Sequence, residues 1–207
     1  MPEKRKYELK RRAERLNDTR RRITMATLEL HRTVGPAATE ISEVARRAGV
    51  QRVTVYNHFP DEGSLLAACS AEWRALHPRP DPAAWRLVPD AGKRLRSGLR
   101  QLYRWYRETE PMTANILRDA SLVPALSPFV ERGFGAYLDE VRRVLTEPLR
   151  ARGRRRERIQ AAGRAAADFH VWRSLSTLGD ADAAELAAGL VELAARPIRG
   201  RPVGRTQ

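Results

Sequence analysis

The sequence predicts an all-α chain. Three observations carry this. Apolar residues recur at three- and four-residue spacings, and β-branched residues never form the alternating runs of a half-buried strand. The breakers Gly35-Pro36, Gly49 and the prolines at 78, 80 and 82 fall between stretches with helical periodicity. At 207 residues there is room for one large or two small domains, each with a core of its own. The formal charge is +14, and residues 1–60 hold 14 basic against 7 acidic side chains, so the positive excess is more than twice as dense at the front. A charge balance of this kind attracts a polyanion such as nucleic acid or an acidic membrane surface.

The opening stretch, Lys4 to Arg15, is basic and has no apolar stripe, which predicts a solvated arm or frayed extension. Asn17 or Asp18 can cap a helix that runs to about Thr33, with Ile23, Ala26, Thr27 and Leu30 on its buried face and His31 at the edge. Two short helices follow, about Thr39 to Ala48 and Gln51 to Asn57, and a fourth begins after the cap Asp61 and runs to about Ala75. Alternate prolines exclude helix from His77 to Pro82. Longer helices are expected over about Ala91–Glu108, Pro111–Leu122, Pro128–Arg150, Arg156–Thr177 and Ala181–Ala195, with Pro111 and Pro128 in first turns. The expected division is residues 1–75 and residues 76–207, with a disordered Gly-, Pro- and Arg-rich tail from about 197.

Cys69 cannot form an internal disulfide and reads as a small buried apolar residue. No Cys/His cluster has metal-ligand spacing, so neither a metal nor a cofactor is expected, and the chain reads as a reducing-compartment protein. The N-terminal stretch has no apolar signal region, and nowhere do ~18 apolar residues run uninterrupted, which predicts a soluble cytoplasmic protein.

Residues 39–59, TEISEVARRAGVQRVTVYNHF, have a specific physical logic. Val44, Ala45 and Ala48 give the first short helix a small apolar face that the second can cross closely, and Gly49 supplies a left-handed turn residue. Val50 and Val55 plug the corner, and Phe59 closes the module. This helix-turn-helix leaves Gln51, Arg52, Val53, Thr54, Tyr56 and Asn57 facing outward. Gln and Arg can hydrogen-bond adenine and guanine edges in the major groove, and Val53 offers apolar surface to a thymine methyl. Thr54, Tyr56, Asn57 and His58 carry donors suited to phosphate oxygens.

In Arg22-Ile23, Ala26, Leu30, Gly35, Ala45, Ala48-Gly49-Val50, Thr54-Val55-Tyr56 and His58-Phe59, residues 18–73 resemble the TetR family of bacterial repressors. The resemblance implies a three-helix DNA-binding head, a larger helical ligand-binding and dimerisation domain, and a homodimer joined through the last two long helices. It also implies a double-stranded palindromic operator, released when a small-molecule ligand enters the body. By the resemblance, Thr39 meets phosphate, Ser42 points at bases, Gln51, Arg52 and Val53 read bases, and Thr54, Tyr56 and His58 hold phosphates. Where the family has a phosphate-binding lysine at the start of the fourth helix, this sequence has Glu62, and the basic stretch Lys4 to Arg22 is the compensating backbone or minor-groove contact.

The body must argue from its own residues. Ala162, Ala165, Ala166, Phe169, Val171, Trp172 and Leu175 on one helix, and Ala184, Leu186, Ala187, Leu190, Val191 and Ala194 on the next, form faces suited to a two-fold interface or to an internal core. Tyr103, Tyr106, Met112, Asn115, Phe134, Tyr137, Phe169 and His170 mix aromatic walls with polar handles and are the expected ligand-binding set. Alternatives are a constitutive or architectural DNA binder, an all-α enzyme and a peripheral membrane protein. An enzyme is not expected: His31, His58, His77 and His170 are scattered, no glycine-rich phosphate loop appears, and no catalytic residue stands out. The basic N-terminal stretch lacks the apolar half that a membrane-surface helix needs.

Overall fold

The structure, a computed structural model, describes residues 2–197, with side chains from Tyr7 onward; the expected disorder of the tail falls, beyond Pro197, outside the described residues. Most of those residues are helical, with no strand among them. The first helix, α1, spans Pro2–Thr33 and so begins well before the expected start at Asn17 or Asp18. Residues 7–18 are all exposed, so propensity drives this extension and not packing. Lys, Arg, Glu, Leu and Ala are good helix formers, and Lys10 and Glu14 pair along the surface at 3.9 Å.

Next come α2 (Ile41–Ala48), α3 (Arg52–His58) and α4 (Glu62–Leu76), close to the predicted spans. Asp61 caps α4 as the sequence predicts, its carboxylate accepting from the Ser64 N–H at 2.6 Å. The proline segment stays non-helical through Asp81, whose carboxylate then starts a short α5 (Pro82–Trp85) by accepting from Ala83 N–H at 2.9 Å.

Helix α6 spans Ala91–Asp119 without a break, where two helices were expected with Pro111 opening the second. A proline inside a helix removes one hydrogen bond and costs ~3 kcal/mol. Here Tyr103 and Tyr106 before it and Met112 after it are buried, and their packing outweighs the defect. The expected helix from Pro128 to Arg150 is α7 (Ser127–Phe129), a wide π-helical turn (Val130–Gly135) and α8 (Ala136–Thr146). The expected helix from Arg156 to Thr177 is also divided, into α9 (Gly153–Ala166) and α10 (Phe169–Leu175). Asp168 makes the division, accepting from the His170 and Val171 N–H groups at 2.8 and 3.0 Å. The last helix is α11 (Asp180–Ala195).

The helices form two compact units, Met1–Pro78 with Thr109–Ala136, and Arg79–Glu108 with Tyr137–Gln207. The first therefore takes in residues 109–136 in addition to the expected 1–75. Its core joins Ile23, Leu30, Val44, Val55, Phe59 and Met112. Cys69 is part of that core; burial pushes its thiol up to about 12, which makes it an inert packing residue.

In the second unit α9 pairs most extensively with α11. These helices bury small residues, Ala162, Gly163 and Ala166 on one and Ala183, Ala184, Ala187 and Ala188 on the other. Small side chains let helix axes approach closely.

Candidate nucleic-acid interface

Val44, Ala45 and Ala48 of α2 and Val55 and Phe59 around α3 are all buried, so the small apolar faces predicted from spacing form the crossing of the two helices. Gly49 ends α2 with φ 65° and ψ 40°, the left-handed conformation the turn requires. Its N–H donates to Arg46 O at 3.3 Å, and the Val50 N–H reaches back to Ala45 O at 3.0 Å, a Schellman closure. Two arginines of α1 complete the module. Arg22 Nη1 donates to Ala48 O at 2.8 Å, satisfying the end of α2. Arg20 Nη1 donates to His58 O at 2.7 Å, and its guanidinium lies 4.1 Å from the Phe59 ring centre. Sequence reasoning placed these arginines in a DNA-seeking arm and missed the capping role, because only the fold brings residues so far apart in sequence together.

With the flanks fixed, α3 presents its candidate readers outward. Gln51 precedes the helix in extended backbone, and Gln51, Arg52, Val53, Tyr56 and Asn57 are exposed; Val53 keeps 58 % of its surface and Tyr56 47 %. Thr54 and His58 are half-buried. Among the described residues the Gln51, Arg52, Tyr56 and Asn57 side chains accept or donate no hydrogen bond, so their donors are available to an outside partner.

The remaining candidates are engaged locally. Thr39 Oγ1 donates to Gly35 O at 2.8 Å, and Ser42 Oγ donates to Glu40 Oε2 at 3.0 Å. Glu43 binds Arg46 and Arg47 at 2.7 and 2.8 Å, and these hydrogen bonds hold its carboxyl at about 2, so both arginines have an internal counter-charge. Glu62 is exposed in the first turn of α4, where its anion favours the helix dipole and disfavours a nearby phosphate.

The expected ligand-binding set divides between the two units, with Met112, Asn115 and Phe134 in the first and Tyr103, Tyr106, Tyr137, Phe169 and His170 in the second. Met112 belongs to the core of the first unit, and Asn115 Nδ2 donates to the carbonyls of His31 and Arg32 at 3.0 and 2.9 Å, closing the end of α1. Phe134, half-buried in the π-helical turn, also lies in the first unit. In the second unit Tyr103, Tyr106, Phe169 and Trp172 form a packed aromatic group, with Tyr106 5.4 Å from Phe169 and 5.5 Å from Trp172 between ring centres. The Tyr103 hydroxyl donates to Ala166 O at 2.8 Å and the Tyr106 hydroxyl to Ala167 O at 2.7 Å. Burial raises both phenols above their usual range, so they stay neutral donors. Tyr137 donates to Pro80 O at 3.0 Å, and His170 is exposed. Two cavities of this unit open elsewhere: a cleft of about 660 Å³ between α8 and α9, and an apolar groove of about 800 Å³ along α10 and α11. Among the described residues no group of His, Cys, Asp or Glu could hold a metal ion, and no helix is long and apolar enough to cross a membrane.

Residues 23–69 match the family described as bacterial regulatory proteins, tetR family. None of the curated proteins matches the chain. Among solved structures, RolR in complex with the ligand resorcinol is similar at 22 % identity and a TM-score of 0.45, covering 91 % of this chain and 98 % of RolR. The family match begins at Ile23, ends at Cys69, and encloses the whole of α2 and α3 with the Gly49 turn between them. The likeness to the bacterial tetR family is therefore a likeness of residues 23–69, the segment that holds α2, α3 and the turn between them.

Proposed function

We propose that the chain works in the cytoplasm as a homodimeric repressor, reading a palindromic operator through α3 and releasing it when a small molecule binds the helical body. The observation that carries the DNA-reading half is the exposed row Gln51, Arg52, Val53, Tyr56 and Asn57, with its polar groups free among the described residues, on a helix whose opposite face is buried. Free donors held on a rigid short helix suit base edges and phosphates in the major groove. The half-sites then lie ~34–36 Å apart along the duplex.

The dimer half of the proposal rests on α11. Leu186, Leu190 and Leu193 are exposed at 56, 45 and 61 %, and they line the apolar groove with Val171 and Leu175. Contiguous exposed leucines mark a surface that associates, and a second copy supplies the same surface under two-fold symmetry. The family likeness supplies the ligand, and the residues that touch it are proposed to include Tyr137 and His170, the members of the expected set that remain accessible in the second unit.

Fluorescence anisotropy with a fragment of the protein's own promoter region tests the proposal. Affinity well above that for random DNA at physiological salt is expected. Equal affinity for both sinks the repressor reading. Specific binding that no metabolite of a broad panel relieves leaves a constitutive binder instead.

A further inference from the structure

The cleft of about 660 Å³ in the second unit is lined by Arg142, Arg143, Arg150, Arg156 and Arg164, with Asp139 and Glu147 as its only acids. Local partners account for some of that charge. Arg142 pairs with Asp139, Arg143 donates to Glu140 at 2.6 Å, and Glu147 lies 3.6 Å from Arg86. The side chains of Arg150, Arg156 and Arg164 have no ion pair or hydrogen bond among the described residues. The charges are also crowded: burial and the nearby Arg164 cation both pull the Arg142 guanidinium below its ordinary pKa. An anion placed between them would relieve that repulsion.

The cleft is not uniformly polar. Leu149, Ala151 and Ile159 line it beside the arginines, and Ile159 is 3 % exposed, so it forms an apolar floor. Its volume lies in the range of small-molecule sites and far exceeds that of an inorganic anion. None of the residues that read DNA or form the aromatic group contributes to it.

We infer that this cleft between α8 and α9 binds a small organic anion, its carboxylate or sulfonate held by Arg150, Arg156 and Arg164 and its apolar body laid on Leu149, Ala151 and Ile159. Guanidinium groups suit such anions because they donate in a planar fork. The site stands on the cleft alone and is independent of the DNA-binding proposal.

Isothermal titration calorimetry of the full chain, without DNA and at physiological salt, tests it with benzoate, its neutral isostere benzamide, and inorganic phosphate. Saturable benzoate binding is expected, with benzamide at least about tenfold weaker because it lacks the charge. Arg164→Gln and Arg156→Gln should each weaken benzoate about tenfold. Arg100→Gln, at an exposed arginine on α6, should leave it unchanged. Both cleft residues are exposed, and the second variant reads the site if the first fails to fold. No saturable benzoate binding, equal binding of benzamide, phosphate binding as tightly as benzoate, or cleft variants that behave like Arg100→Gln would each overturn the inference.

Discussion

The Arg22 guanidinium donates to the carbonyl of Ala48, the last residue of α2, across 2.8 Å. A cation on a helix C-terminus satisfies an orphan acceptor and complements the dipole. Arg22→Ala should therefore destabilise the protein by about 1 kcal/mol in urea denaturation. Its loss of affinity for random DNA should be small, because the side chain is already committed to protein. A large loss of DNA affinity with unchanged stability would instead restore Arg22 to the basic arm.

Gly35 and Gly49 both have positive φ but differ in kind. Gly49, at φ 65° and ψ 40°, is ordinary left-handed backbone, which asparagine tolerates, so Gly49→Asn should cost no more than about 1 kcal/mol. Gly35, at φ 97° and ψ 159°, is in a region essentially confined to glycine, and a Cβ there would run into the Arg118 guanidinium and the Asp119 carboxylate. Gly35→Asn should cost about 3 kcal/mol or more. Thermal melts of the two variants side by side check the order.

Arg52 and Tyr56 are proposed to act differently on DNA. Arg52→Ala should cost about 1–3 kcal/mol on the preferred operator and relax preference at one base position. Tyr56→Phe should weaken binding to all sequences alike. A panel of operators with single base changes separates these patterns, and identical profiles for both variants would refute the division into base reader and phosphate contact.

His31 is 5 % exposed, and burial lowers its pKa from 6.5 to about 4, with the Asp119 carboxylate opposing that shift. The folded imidazole refuses a proton that the unfolded chain accepts. Stability from this group is therefore full above pH 6.5 and falls as the pH drops towards 4. The expected loss between pH 7.5 and 4.5 is about 2–3 kcal/mol. Urea denaturation at the two pH values should show a clearly smaller difference in His31→Gln.

Leu190 sits in the middle of the exposed leucines of α11. Leu190→Asp should convert a dimer to a monomer in size-exclusion chromatography with light scattering, since a charge buried in an apolar interface costs several kcal/mol. The variant's melting temperature at low protein concentration should stay close to that of the parent. A parent that is already monomeric would remove the dimer from the proposal.

The head was legible in the sequence because its signals are local. Gly49, the cap Asp61 and the spacing of Val44, Ala45, Ala48 and Val55 each act within a few residues, and each is found in the expected role. The body was not. Nothing near Pro111 announces that α6 will continue through it, and nothing near Asn115 announces that its amide will close the end of α1. The alanine-rich faces show a further limit. Spacing identified the small residues of α9 and α11, but it could not divide those that pair inside one chain from Leu186 and Leu190, which stay exposed.

The hydroxyls of Tyr103 and Tyr106 reach the carbonyls of Ala166 and Ala167, adjacent residues at the end of α9. Two rigid side chains one helical turn apart on α6 thus gauge a single-residue step on their neighbour. Each buried phenol needs its own carbonyl, so displacing α9 along α6 strains two hydrogen bonds together, and the pair marks the alignment of these helices at two points.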